Sequence, residues 1–174
     1  MSLVRVFIAS SLDGFIAGSN DELDWLPHGE GMEDTFTPFM KQIGALLMGR
    51  RTFDVASGFE GEWPYGETPV VVATRRPLAS RLPSVISATG SIEELVQKAK
   101  ELAGGRDVYI DGGTLIRSAL DAGLIDEIIV TMIPTVLGAG IPLFAGTARR
   151  HPLELVSQRD IGLGLVELRY VPKR

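Results

Sequence analysis

The feature that most restricts the fold is the alternation of short apolar runs with amphipathic segments. LVRVFIA (residues 3–9), GALLM (44–48), TPVVVAT (68–74), DVYI (107–110) and DEIIVTMI (126–133) carry few polar side chains and are rich in β-branched residues. A strand with one wet face alternates apolar and polar positions, so strands this uniformly apolar are expected to be covered on both sides. Helical patterns lie between them. In SIEELVQKAKELAGG, Ser91 and Glu94 form a capping box, Ile92, Leu95, Val96, Ala99 and Leu102 recur at the helical period, and Gly104 ends the run. TLIRSALDAG repeats the design, with Thr114 as the expected N-cap, Leu115, Ile116, Ala119 and Leu120 on one face, and Gly123 as the stop. A less regular helix is expected over 35–43, and the segment from Pro152 onward reads as a hairpin turning near 160–164. Strands separated by helices predict an α/β fold: a mainly parallel mixed sheet, helices on both faces, and an antiparallel C-terminal hairpin.

A chain of 174 residues with 45% apolar content suits one domain, spanning 1–174, that buries its own core. The absence of cysteine excludes disulfides, thiolate metal sites and thiol nucleophiles, and fits a reducing compartment. No run approaches the roughly 20 apolar residues of a spanning helix, and the N-terminus has no cleavage site of the secretory kind, so a soluble, cytoplasmic protein is expected. A net charge of −5 argues against a general nucleic-acid surface. His28 and His151 are too isolated for metal-ligand spacing, and no metal is expected. Arginines are nevertheless paired at Arg50–Arg51 and Arg75–Arg76, directly after apolar runs, where an acidic protein can hold one small anion.

In open α/β sheets ligands bind beyond the carboxyl ends of the strands, so the strand-to-helix junctions carry the functional argument. Three stand out. LLMGRRTF offers Gly49, for close backbone approach, and Thr52 as a helix cap; VVVATRRP offers Thr74, Arg75 and Arg76; YIDGGT removes two adjacent β-carbons at Gly112 and Gly113. Taken singly, each has an ordinary reading as turn geometry or solvated surface. On one edge of one sheet they match a dinucleotide: amides for a pyrophosphate and guanidinium groups for an additional phosphate, which favours NADPH over NADH. Neither G-x-G-x-x-G nor the lysine-bearing P-loop is present.

The blocks VFIASSLDGFIAG, LLMGRRTFD, PVVVATRRP, VYIDGGTLIRSALDAGLIDEIIV and PTVLGAGIPLF, in this order and spacing, resemble the dihydrofolate reductase-like family, and within it the reductase domain of bacterial riboflavin biosynthesis. The resemblance runs from about Val4 to Phe144 and implies the three-layer dihydrofolate reductase-like fold and an NADPH-dependent reductase. It further implies that Gly49, Arg50, Arg51 and Thr52 hold cofactor phosphates and that Thr74 and Arg75 lie beside the adenosine ribose and its 2′-phosphate. Gly112, Gly113, Thr114, Leu115 and Ile116 would lie under the pyrophosphate and nicotinamide, with Ala9 and Ile16 flanking the ring. The chain departs from the riboflavin reductases at Asp111, where they commonly have glutamate, and in TFDVASGFEG, where they tend to have an acidic pair and proline.

On the substrate side, Asp13 either contacts substrate or orders the loop after the first strand, with an Asx-turn before Gly14 as its plainer role. Trp25 either stacks on a flat heterocycle or packs on the core. Dihydrofolate reductases use one carboxylate on the helix before the MGR strand, a place Glu33 or Asp34 could take here; a carboxylate at a helix start also has a purely electrostatic explanation. The expected reaction is hydride transfer to a pyrimidine or pteridine-type small molecule, resembling 5-amino-6-(5-phosphoribosylamino)uracil reductase, with Asp13, Glu33, Asp34 or a water as proton donor. Dihydrofolate or another pterin is the alternative substrate, and a non-catalytic NADPH-binding protein the alternative of another class. In related proteins the PTVLGAGIPLF region contributes to a homodimer, which is expected here too.

Overall fold

The computed structural model describes residues 2–80 and 82–173. Its strands are β1 (Val4–Ser11), β2 (Phe15–Ala17), β3 (Ile43–Gly49), β4 (Val70–Ala73), β5 (Val85–Ala88), β6 (Asp107–Asp111), β7 (Glu127–Ile133), β8 (Ile141–Pro142), β9 (Leu153–Asp160) and β10 (Val166–Pro172). The helices are α1 (Phe36–Met40), α2 (Arg50–Ser57), α3 (Ile92–Ala103) and α4 (Gly113–Asp121). Eight strands form one sheet in the order β5-β4-β3-β6-β1-β7-β10-β9, parallel from β5 to β7 and antiparallel across β7, β10 and β9. The five apolar runs all lie in the parallel part, where both faces of the sheet are covered, and the C-terminal hairpin is present as β9 and β10.

Side-chain alternation divides the core between the two faces. Val4, Val6, Val108 and Ile110 point toward α3 and α4, packing with Leu95, Ala99, Ile116 and Leu120. Leu46, Met48, Tyr109 and Ile129 point the other way, against Phe39 of α1 and Phe53 of α2. At the N-terminal ends of the strands the buried guanidinium of Arg5 joins β1 to its neighbours, pairing with Glu127 at 2.6 Å and Asp107 at 3.2 Å and lying over the Phe39 ring. That end is closed by charge pairing, and the opposite end of the same strands is left for a ligand.

The Ser91–Glu94 capping box of α3 is present, and the helix ends at Gly104. Other boundaries moved. The helix expected over 35–43 is only the five residues of α1, because the chain must become extended at Ile43 to enter β3. Thr114 is not an N-cap: Gly112, with φ of 97°, caps α4, and the helix starts at Gly113 because only a glycine turns the chain this sharply out of β6. Thr52 likewise lies inside α2, whose N-cap is the extended Gly49. The short antiparallel pairing of β2 with β8 and the edge strand β5 have no counterpart in the apolar runs.

Candidate functional site

Across the carboxyl ends of β1, β3, β4 and β6 lies a cavity of about 720 Å³, large enough for a drug-sized ligand. Its floor is the strand ends themselves: Phe7 to Ala9, Gly49, Ala73, and Asp111 with Gly112. The first turns of α2 and α4 form one side, Ile16, Ala17, Ile141 and Pro142 of the small β2–β8 sheet form a second, and residues from Asp21 to Leu26 close over the mouth. The three junctions singled out from sequence therefore converge, although they lie far apart along the chain.

Of the residues expected to hold a cofactor, Ala9, Ile16, Gly49, Arg50, Arg51, Thr52, Gly112, Gly113, Thr114 and Leu115 border the cavity. Ile116 is fully buried in the core beneath α4, and Thr74 and Arg75 lie just past Ala73, in a turn where the Thr74 hydroxyl accepts from the Arg76 N–H at 3.1 Å. The two glycine-bearing junctions have different causes. At Gly112 and Gly113 the protein itself demands glycine: a β-carbon on Gly112 would collide with the Thr52 hydroxyl, and one on Gly113 would come within 2.7 Å of the Pro142 carbonyl. Gly49 is the reverse case. Its φ of −76° suits any residue, and nothing in the chain lies within 4 Å of the place a β-carbon would take. Of the glycines read from sequence as places of close backbone approach, Gly49 is the one with open space beside it.

The arginines are pre-placed by carboxylates. Arg50 pairs with Asp54 one turn along α2 at 2.8 Å and donates to the Pro77 carbonyl. Arg51 reaches across the mouth to Asp21 at 2.7 Å. Arg117, on α4, donates to the Pro142 carbonyl at 2.6 Å and so ties the helix to the β2–β8 sheet.

None of the acidic candidates faces the cavity. The Asp13 carboxylate accepts from the Ser11 hydroxyl and from the N–H groups of Leu137 and Gly138 at 3.1 and 2.7 Å, which fastens the turn after β1 to the loop before β8. These bonds, the Ser11 hydroxyl foremost, hold its pKa below the ordinary carboxylate value. Glu33 is exposed and pairs with Arg159 at 3.0 Å, and Asp34 accepts from the Thr37 N–H at the start of α1. Trp25 packs against the small cluster of Ile133, Ile161 and Leu165 and donates its indole N–H to the Glu22 carbonyl.

Two carboxyls do border the cavity: Asp21 at its mouth, paired with Arg51, and Asp111, the last residue of β6. Burial pushes the pKa of Asp111 up to about 6, despite the opposing pull of the Gly112 N–H and neighbouring tyrosine hydroxyls. The Tyr65 hydroxyl lies 3.4 Å from it, whereas the Tyr109 hydroxyl is engaged by the Phe7 carbonyl at 2.8 Å. Burial and then the Asp111 charge push both phenols above their usual value. A recessed carboxyl whose pKa is raised to about 6 is the kind of group found where protons are exchanged. Its sequence signal was a lone acid closing an apolar strand, but Tyr65 and the cavity wall come from distant segments that no spacing reveals.

The family model of the RibD C-terminal domain matches residues 2–166 of the chain. The chain belongs to that family. Bacillus subtilis YyaP is 34% identical, the match covering 94% of this chain and 91% of YyaP. A crystal structure of a Shewanella sp. PV-4 protein assigned to riboflavin biosynthesis is 31% identical, with a TM-score of 0.87 and 99% coverage of both chains. Dihydrofolate reductase from Enterococcus faecalis, 17% identical, superposes with a TM-score of 0.67 over 99% of this chain and 97% of that one. The RibD C-terminal domain fold of this chain is thus the dihydrofolate reductase-like fold.

Proposed function

We propose that the protein is an NADPH-dependent reductase acting on a pyrimidine or pteridine-type ring. The observation that carries this reading is the polarity of the cavity at the carboxyl ends of the strands. One part holds the open backbone at Gly49, the first turn of α2 and two arginines; another holds a recessed carboxyl walled by aromatic side chains. The first suits phosphates, through amides and guanidinium groups. The second suits a flat ring that must receive a proton. Membership of the RibD C-terminal domain family and the expectation drawn from sequence support the same assignment.

The residues present fit the cofactor. Gly49 leaves room for a phosphate against the start of α2, Arg50 and Arg51 supply the charge, Arg75 is exposed beside Ala73 for a 2′-phosphate, and Ala9, Ile16 and Leu115 offer small or apolar surface to the nicotinamide. NADPH, when bound, supplies hydride to an electrophilic carbon of the acceptor. The chain's own task is to align the rings, exclude water and hold a proton for the adjacent heteroatom, and Asp111 is the group suited to hold it. Loss of nicotinamide absorbance on mixing with a panel of pterins and aminopyrimidines, alongside calorimetric titration of NADPH, tests the reading. The expected outcome is binding followed by acceptor-dependent oxidation. Binding without oxidation across the panel would refute the enzyme, and no binding would refute the cofactor.

A further inference from the structure

The two edges of the eight-stranded sheet are treated differently by the chain. β5 is four residues long, partly covered, and follows Pro83, which cannot donate to a further strand. β9 ends the other side with eight residues, LELVSQRD, that include neither proline nor lysine, and all of them after Leu153 are exposed. Among the described residues no strand lies beyond β9, so its outward N–H and C=O groups have no ladder to join. Leu155 and Val156, 47% and 53% exposed, add adjacent apolar surface in the middle of that edge.

Pairing with β10 fixes the face each side chain of β9 takes. Val156 is the extra residue of a bulge, since Leu155 lies opposite Tyr170 and Ser157 opposite Arg169. Glu154, Ser157 and Arg159 therefore share one face of the sheet, and Leu153, Leu155, Gln158 and Asp160 share the other. Arg159 is half-exposed and pairs with Glu33 through one nitrogen and Glu167 through another, which leaves further guanidinium donors free to act.

We infer that β9 pairs with β9 of a second copy of this chain, antiparallel about a two-fold axis that passes between Val156 and Ser157. In this register Glu154 faces the partner's Arg159, Leu155 faces the partner's Gln158, and Leu153 faces the partner's Asp160. The bulge makes the register self-consistent, because the members of each facing pair lie on the same face of the joint sheet. A slip of one residue sets Glu154 against the partner's Gln158, whose side chain takes the opposite face. By symmetry the Glu154–Arg159 pairing forms twice, flanking the axis while the two backbones close their ladders. The product is one sheet with eight strands from each copy, and β7 and β10 keep the junction away from the strands that floor the cavity. This surface is separate from the 134–144 segment, where the family resemblance places a dimer.

The test is analytical ultracentrifugation of the full chain between about 1 and 100 μM, with circular dichroism to show that each variant is folded. A monomer–dimer equilibrium is expected. Its dissociation constant should rise at least about tenfold in Glu154→Arg, which sets like charges in both pairs, and in Val156→Lys, which brings two ammonium groups together at the axis. Mixing folded Glu154→Arg with folded Arg159→Glu should restore the dimer, since each facing pair regains opposite charges. A wild type that stays monomeric, or a dimer that Glu154→Arg and Val156→Lys both leave intact, would overturn the inference. So would a dimer lost only in Val136→Lys, which would place the contact on the 134–144 segment, or a mixture of the folded charge variants that fails to associate.

Discussion

Replacing Asp111 by asparagine should make the protein more stable and less useful. In the folded state burial raises this carboxyl from 3.8 to about 6. A raised folded-state pKa means a contribution that is fully present below the unfolded value and is lost as pH rises through the folded one. Asp111 therefore weakens the fold increasingly between about pH 4 and pH 6, and above that range the whole effect is felt. The shift corresponds to about 3 kcal/mol, and water entering the open cavity reduces it to about 2. Asparagine keeps a carbonyl oxygen for the Gly112 N–H and the Tyr65 hydroxyl but never ionises. Its melting temperature at about pH 8 should exceed that of the wild type by roughly 4–8 °C, and the difference should shrink toward zero near pH 4. The assay is thermal unfolding of both proteins across that pH range, with acceptor-dependent NADPH oxidation followed in parallel and expected to fall sharply in the variant. Equal stability at pH 8, or a gap that does not change with pH, would refute the assignment of Asp111 as a desolvated acid.

Four other substitutions address the cofactor part of the cavity. Gly49→Val meets nothing in the chain and should melt within about 1 kcal/mol of the wild type while losing at least about tenfold in NADPH affinity by calorimetry; Gly112→Val should instead destabilise the free protein by about 1–3 kcal/mol, from its φ of 97° and the Thr52 contact. Asp21→Asn frees Arg51 from an exposed pair of the kind that contributes about 0.2–1 kcal/mol, so NADPH binding should tighten by up to about fivefold; weaker binding would show that the pair organises the site rather than competing for it. Arg75→Ala should weaken NADPH much more than NADH, and equal losses for both would remove it from the 2′-phosphate.

The parallel strands were legible because both their faces are covered: VVV at 70–72 or IGALLM at 43–48 has no wet face to break the apolar run. The same physics hid β5, an edge strand whose residues past Val85 are only partly covered and which sits among prolines. Three residues of β2 and two of β8 pair because Asp13 and Arg117 fasten distant loops together, and neither segment has a local pattern of its own. The glycine pair and Gly49 were both conspicuous in sequence, but which of them the turn and the packing of α4 require, and which leaves open space, depends on neighbours distant in the chain, Thr52 and Pro142. Glu33 and Asp34 drew attention as acids near a helix start, where they interact with Arg159 and the α1 backbone. Asp111 was visible as a residue, but its environment is made by Phe7, Phe36, Tyr65 and Tyr109, and chain spacing cannot show that four separate segments meet at one carboxyl.

A crystal structure of the protein grown with NADP⁺ tests the central claim most directly. The account predicts phosphate oxygens within hydrogen-bonding reach of the amides from Gly49 to Thr52 and the nicotinamide ring beside Ala9, Ile16 and Asp111. A cofactor seated elsewhere on the molecule, or a cavity that stays empty at saturating NADP⁺, would contradict it.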